Sequence, residues 1–518
     1  MKIGHPAFPL LGAVLLTSAT LLITLRYRLI ESDISDCIGY VQASHQLARG
    51  EGLAFVDPHN QVDRRYYTLY AFKVVHPQEP NRYFGFPPGV PLLAAALERL
   101  TGDPNVVHVL VPILAALLVA ETCLLGALLV NSWAGVWAGL VLLVAPTFLQ
   151  FSTAFWSEVP SATFLYLGVA LCVIALRRTR DDGWALMLAG ASGLMIGATF
   201  FMRFSNASVL PAVPVLVWCL GGRAAFKQRR VICLLGIVLA ALLALLIFNM
   251  VYYGGPFITG YSPVHGWYEQ PAFSLAYAFG KSFVGGYSLP AIGNTLARDL
   301  GWLLLSGVVG LFARPHLVGG WLLALAVMML TPYAIYAFAA SGINARFVIP
   351  AWPAICLLIG RGIVTLGERL PSTLIRGVIG CLLALGIVYG LPGTLATLSS
   401  RNQAAQATVE QARRLAELTE PNAVVLSYVF NDLIAVYGQR SVLDYRHMPP
   451  YNPVSKTYEY SGFEDSLVNQ VSWLLDQGTP VYYVLDQNPP LYNSYEVLRR
   501  HFELTPVDSD RPIYRVGR

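Results

Sequence analysis

Apolar residues run through most of the chain in blocks of about 20, broken by short polar turns. A block of that length matches the hydrocarbon thickness of a bilayer, and a helix is the structure that satisfies its own backbone there. The blocks fall at roughly 8–25, 106–130, 133–151, 157–176, 184–202, 205–221, 231–252, 296–313, 317–340, 346–366 and 374–398. They predict eleven membrane-spanning helices. The opening segment, MKIGHPAFPLLGAVLLTSATLLITLRYR, has a long apolar run and no clear small-x-small site after it. It reads as a retained first span rather than a cleaved leader.

Two regions depart from this rhythm. About 80 residues, 26–105, are inserted after the first span. From about residue 400 the chain turns polar. A helical stretch, NQAAQATVEQARRLAEL, precedes strand-like runs AVVLSY and PVYYVLD, with a helix-like FEDSLVNQVSWLLDQG between them. The predicted architecture is a polytopic α-helical membrane body, 1–399, that includes the 26–105 loop, followed by a small soluble α/β domain, 400–518. The two halves of the body show no internal repeat.

Lys and Arg in the short loops set the expected orientation. RRTRDD, GGRAAFKQRR, ARPH and GRGIVTLGERLPSTLIR alternate with loops such as LQFSTAFW that are nearly free of positive charge. The N-terminus is therefore expected in the cytoplasm, and the 26–105 loop and the C-terminal domain outside.

Composition narrows the class further. The chain is 55% hydrophobic and 13% charged, against about 25% charged in soluble domains, and its mean hydropathy is +0.54. The net charge of +5 gives no sign of nucleic-acid binding, because the basic residues lie in short loops between apolar spans. The seven cysteines fall almost all within spans and form no CxxC pair, and the nine histidines are scattered. Neither a disulfide framework nor a zinc site is indicated.

Candidate chemistry gathers on the predicted outer side. In ESDISDCIGYVQASHQLARGEG, Asp36, Tyr40, Ala43 and Leu47 share one helical stripe. Ser32, Asp33, Ser35 and Asp36 are also good N-cap residues. Asp33 fits the cap better, and Asp36 fits the head of a buried face. The loop ends in NRYFGFPPGVPLLAAALERLTG, where a double proline leads into an apolar helix lying against the membrane. Arg82 and Tyr83 precede it, where they could line a cleft. Glu158, in FWSEVP, heads the fourth span and reads either as a snorkelling border acid or as a site acid. Arg203 and Asn206, in FMRFSNASV, and Arg346, in SGINARFVIPAWP, are headgroup anchors or an anion site. Ionisable groups at such depths are costly and tend to mark function, so four at one face weigh more than any one alone. Glu121, inside the second span, lies apart from this face; either it pairs with a polar residue of a neighbouring span or the second span is shifted.

This ordered set resembles the integral-membrane glycosyltransferases of the GT-C superfamily. The likeness is to family 39, the dolichyl-phosphate-mannose protein mannosyltransferases and their bacterial relatives, and to the lipid A aminoarabinose transferases. DCIGYVQASHQLARGEGLAF is similar to their D-x-x-x-Y…A-x-x-L…G loop start. FPPGVPLL, SEVP, RFSNASVLP, YYGGPFITGY and RFVIPAWP resemble later segments in the same order. The likeness covers about residues 8–370. The resemblance implies a sugar donor carried on a polyprenyl phosphate and an acceptor that is lipid, glycan or protein. It also implies Asp36 as general base, Tyr40 lining the pocket, and arginines, here Arg203 and Arg346, for the leaving phosphate. Direct displacement would invert the anomeric centre.

One position departs from the family. The aminoarabinose transferases carry a phosphate-contacting lysine three residues after the loop tyrosine, and here that place is Phe86. Arg64, Arg65, Lys73 and Arg82 are candidates for the missing charge. No cofactor is required, although Asp33, Asp36 and Glu158 offer the oxygen ligands a divalent cation takes. The alternatives are a transporter or flippase, and a non-catalytic binder of polyprenyl-linked glycolipids. Transporters concentrate polar groups near the midplane, whereas these lie at one face.

Overall fold

The computed structural model describes residues 7–31, 34–55, 72–73, 82–178, 180–262, 273–280, 286–369, 372–427, 431–444, 451–452, 457–458, 463–485, 494–508 and 512–518. Helix α1 (Ala7–Arg26) leads to α2 (Ser35–Arg49), and α3 (Gly89–Thr101) follows the double proline. The inserted loop also carries a three-stranded antiparallel sheet, β1 (Ala54–Phe55), β2 (Phe72–Lys73) and β3 (Arg82–Phe84), in the order β1-β3-β2. Arg99 of α3 donates to the carbonyls of Leu47 and Ala48 (2.9 and 2.7 Å), and His45 contacts Glu98 at 2.8 Å. The cation thus bonds carbonyls at the end of α2, where it also favours the helix dipole, and ties α3 to it.

The body continues through α4 (Val107–Leu129), α5 (Ser132–Val144), α6 (Pro146–Ser152), α7 (Glu158–Arg177) and α8 (Gly183–Met202). Beyond these come α9 (Ala212–Ala225), α10 (Arg229–Tyr253), α11 (Ala276–Phe279), α12 (Ser288–Leu300), α13 (Leu303–Phe312), α14 (His316–Ala334) and α15 (Trp352–Arg369). Two 3-10 stretches, Phe204–Val209 and Gly342–Ala351, lead into α9 and α15. Among the described residues eight helices are long and apolar enough to cross a membrane, or ten if each of two bent pairs is one span.

Two of the predicted spans are bent at a break. The predicted span 133–151 is α5 and α6 at 69°, and 296–313 is α12 and α13 at 102°. At the first break Ala145 is extended (ψ 116°) before Pro146, as the proline ring demands of its predecessor. At the second, Gly301 takes φ 49°, ψ −129°, a conformation that side chains with a Cβ avoid. The breaks are tied together: buried Asp299 accepts from the Thr147 backbone N–H at 2.9 Å, and Arg298 donates to the Thr147 hydroxyl at 2.6 Å. Glu121 is 7% exposed and makes no hydrogen bond or ion pair among the described residues.

The last predicted span, 374–398, is the first part of α16 (Ser372–Leu418), which runs on without a break for 47 residues, about 70 Å at 1.5 Å per residue. Beyond it lie β4 (Val424–Ser427), α17 (Asn431–Val436), β5 (Ser441–Asp444), the pair β6 (Tyr451–Asn452) and β7 (Thr457–Tyr458), α18 (Phe463–Asp476), β8 (Val481–Val484), α19 (Ser494–His501), β9 (Glu503–Pro506) and β10 (Ile513–Gly517). The five-stranded sheet has the order β5-β4-β8-β10-β9, with β4 parallel to β5 and β8, and β10 antiparallel to its neighbours. Both strand-like runs read from the sequence are in it, as β4 and β8, with α18 in the predicted helical stretch between.

This C-terminal part grips the loop after α1. Asn402 donates to the Tyr27 and Arg28 carbonyls (both 3.2 Å), Arg401 to that of Gln150 (3.0 Å), and Arg413 pairs with Glu31. Ile38 of α2 packs with Val409, Ala412 and Leu433.

Candidate active site

Helix geometry brings the site acids and arginines to one level. Helices α7 and α8 are antiparallel neighbours of 20 residues each, so the first residue of one lies level with the end of the other. Glu158 opens α7, and Arg203 follows α8 in extended backbone (φ −151°, ψ 119°). Each charge complements the dipole of its helix end. Their opposite ends carry Arg177, Arg178 and Arg180, near Arg229 and Arg230 at the start of α10: Arg230 donates to the Ala175 and Arg178 carbonyls. The basic end of the bundle and the site end are thus opposed.

Arg346 enters from the 3-10 stretch before α15. Its Nε donates to Glu158 Oε1 at 2.9 Å, its Nη2 to Asp36 Oδ2 at 2.7 Å, and its Nη1 to the Ile343 carbonyl at 3.0 Å. The guanidinium lies 3.9 Å over the Trp156 ring, a cation–π contact. Arg203 Nη1 donates to the same Glu158 oxygen at 2.6 Å and to Ser157 at 2.9 Å, and its Nε donates to the Tyr333 hydroxyl at 2.9 Å. Tyr333 and Ser205 share a hydrogen bond of 2.7 Å. Among the described residues Arg203 Nη2 has no hydrogen-bond partner. Asp36, Glu158, Arg203 and Arg346 therefore form one cluster of two anions and two cations. Arg346 bonds one oxygen of each carboxylate, Glu158 Oε1 and Asp36 Oδ2.

The cluster lines a cavity of about 220 Å³ whose walls include Tyr40, Phe86, Tyr261, Tyr336 and Asn344. Tyr40 stacks on Phe86 at 5.3 Å and meets Phe155 edge-on. Burial pushes the Tyr40 phenol above its ordinary range, while a hydrogen bond with Ser157 pulls the other way. It is therefore a neutral donor at physiological pH. The motif YYGGPFITGY builds the facing wall. Tyr252 and Tyr253 donate to the carbonyls of Leu53 and Phe84 at 3.0 and 2.9 Å, holding the loop sheet on α10. Gly260 then passes so close to Gly85 that a Cβ there would lie 2.0 Å from the Gly85 oxygen. This crossing presents Phe86 and Tyr261 side by side, 5.7 Å between ring centres.

Of the residues singled out from sequence, Asp36, Tyr40, Glu158, Arg203 and Arg346 come together. Tyr83 does not join the cavity wall; its ring packs edge-on against Tyr252 at 5.4 Å. Glu158 is not a snorkelling acid, since it is 1% exposed. Asn206 is buried, with its amide toward the Thr199 carbonyl. Asp33, Arg64 and Arg65 lie outside the described residues, as do the side chains of Lys73 and Arg82. Helix α2 starts from Ile34 with no side-chain cap. The cations on the described cavity wall are Arg203 and Arg346. Trp156, Ser157, Tyr333 and Asn344 were not picked out. The first two flank Glu158 in a motif already noted, whereas Tyr333 ends an apolar helix with no polar pattern to mark it.

No protein-family model matches the chain, and no curated protein matches it. Solved structures do. ArnT from Cupriavidus metallidurans bound to undecaprenyl phosphate aligns over 97% of both chains, with TM-score 0.62 and 14% identity. The oligosaccharyltransferase AglB from Archaeoglobus fulgidus, in complex with an inhibitory peptide and a dolichol-phosphate, aligns over 91% of this chain and 69% of its own, with TM-score 0.54 and 13% identity. Mycobacterial arabinofuranosyltransferase AftD aligns over 98% of this chain and 40% of its own, with TM-score 0.53 and 14% identity. The chain has the polytopic membrane fold of the GT-C glycosyltransferases.

Proposed function

We propose that the protein transfers a sugar from a polyprenyl-phosphate donor to an acceptor hydroxyl at the outer face of the membrane. One observation carries this reading: an acid, Asp36, and two arginines, from three distant segments, share one cavity at the end of the bundle away from its basic loops. Two structures of the same fold are described with undecaprenyl phosphate or dolichol-phosphate bound. A lipid-borne donor also accounts for why the catalyst is a membrane protein with its polar groups at one end.

In this mechanism Asp36 takes the proton of the acceptor hydroxyl as general base. Arg203 Nη2, the donor left without a partner, receives a phosphate oxygen and stabilises charge as the sugar–phosphate bond breaks. Direct attack inverts the anomeric centre. Tyr40 and the aromatic wall supply rigid surface for the sugar. The orientation follows from the basic loops at the opposite end. In this reading Arg203 receives the phosphate, as the resemblance implies.

The test uses purified protein in lipid nanodiscs with undecaprenyl-phosphate-linked sugars, following donor loss. Wild type consumes a donor, and Asp36→Asn does not. Full activity in Asp36→Asn overturns the base assignment. If no lipid-linked sugar is consumed or bound, the enzyme reading falls.

A further inference from the structure

We infer that Arg346 is a shared cation that passes from the base to the leaving phosphate during turnover, so that product release is coupled to recharging of Asp36. The inference rests on the reading above and deepens it.

The geometry behind it is the division of labour between the two arginines. Arg346 is held by Glu158 through Nε, by the Ile343 carbonyl through Nη1 and by the Trp156 face below. The Nη2 contact to Asp36, at 2.7 Å, is the one bond of this set whose acceptor changes charge in the proposed reaction. Glu158 Oε1 accepts from both arginines and keeps the two guanidiniums adjacent. Both line the same cavity. A phosphate placed on Arg203 is therefore within the field of Arg346.

The charges balance as follows. Before transfer the four side chains sum to zero and the donor phosphodiester carries one negative charge. The acceptor oxygen bonds to the anomeric carbon, and the carbon–oxygen bond to phosphate breaks with its electron pair staying on the phosphate. The acceptor proton goes to Asp36. Asp36 becomes neutral, and the phosphate, now a monoester, carries a second negative charge. The total is unchanged, but the anion facing Arg346 has moved from the carboxylate to the product. The guanidinium stays charged throughout, so its Coulomb attraction follows the anion, and Nη2 turns from the neutral acid to the phosphate. When Asp36 loses its proton again, carboxylate and phosphate compete for one guanidinium, and the lipid phosphate is released.

The prediction is that the variant that ends catalysis binds product more tightly. Binding of undecaprenyl phosphate is measured on nanodisc-embedded wild type, Asp36→Asn, Asp36→Glu, Arg346→Gln and the double variant Asp36→Asn/Arg346→Gln. Asp36→Asn binds at least about tenfold more tightly than wild type, the scale of one unscreened charge at short range. Asp36→Glu, which keeps an anion for Arg346, binds like wild type. In the Arg346→Gln background, Asp36→Asn changes affinity by less than about twofold, because the coupling partner is gone. If wild type binds and Asp36→Asn binds equally or more weakly, the inference is overturned while the enzyme reading stands. Equal tightening in both backgrounds removes Arg346 from the role. If neither wild type nor Asp36→Asn binds the lipid phosphate, the underlying reading fails with it. Should Arg346→Gln fail to fold, Arg346→Lys, which keeps the charge and loses the forked donors, takes its place in the double variant with the same expected outcome.

Discussion

Glu158→Gln is the most informative single change in the body. Glu158 is 1% exposed, and one of its oxygens accepts from Arg203 Nη1 at 2.6 Å and from Arg346 Nε at 2.9 Å. Glutamine keeps the shape and removes the charge. The cluster then holds two guanidiniums against Asp36 alone. Removing one partner of a buried ion pair costs about 3–5 kcal/mol, because the other charge stays buried without compensation. Exposed-pair discounts do not apply, since the Arg203 and Arg346 side chains are 14% and 8% exposed. The two pairs share an oxygen and do not add. Arg203 also keeps Ser157 and Tyr333, and Arg346 keeps Asp36 and the Ile343 carbonyl. The low end, about 3 kcal/mol, is therefore expected. Thermal unfolding in detergent reads it as a fall of several degrees with donor consumption lost. Undecaprenyl phosphate, an anion, should raise the melting temperature of this variant more than that of wild type, by ligand linkage. A variant that melts within about 1 °C of wild type, where 1 kcal/mol shifts a domain by about 2–4 °C, and consumes donor normally would refute the reasoning.

Gly260→Ala places a Cβ against the Gly85 carbonyl and pushes apart the loops that carry Phe86 and Tyr261. A loss of about 1–3 kcal/mol in thermal unfolding is expected, with a fall in donor consumption. Asp299→Ala leaves the Thr147 N–H at the break between α5 and α6 without its acceptor, at about 1–3 kcal/mol by the same unfolding measurement, with the site side chains untouched. In the C-terminal sheet, the Tyr482 hydroxyl bonds Glu420 at 2.6 Å and, with Arg515 and Arg440, holds its carboxyl below the usual range. A depressed acid stabilises the fold above its unfolded pKa, about 4.3, and loses that contribution as pH falls through the folded value. Glu420→Gln should flatten this acid limb in an unfolding titration and leave neutral-pH turnover unchanged.

Much of the site is legible in the sequence because span counting is a one-dimensional problem. Once apolar blocks and basic loops set the sides, Asp36, Glu158, Arg203 and Arg346 must lie at one end, whatever the packing. Their pairing is not legible in the same way. Nothing in FWSEVP says that Glu158 takes both arginines, and a border glutamate reads equally well as snorkelling. Pro146 and Gly301 mark the breaks in the two bent spans, but hydropathy averages over a single kinking residue. Tyr83 stands off the cavity wall for a geometric reason. Strand residues alternate faces, and in β3 the turn at Gly85 hands the cavity wall to Phe86 while Tyr83 points at Tyr252.

Asp36, the proposed base, stands on a helix too short and polar to be a candidate span. Helix α2 has only 15 residues, and its mean hydropathy is far below that of the spans. Its position must come from contacts. On one flank α3 bonds its end through Arg99. On the cavity side Tyr40 is wedged among Phe84, Phe86 and Phe155. On the remaining side Ile38, two residues from Asp36, packs on Val409, Ala412 and Leu433. The long α16 is what brings Val409 and Ala412 there, because it carries the chain as one helix from the last apolar block to the back of α2. A flexible linker would leave that face of α2 to water. Continuity of α16 thus makes the C-terminal region part of what fixes the distance between Asp36 and Arg346.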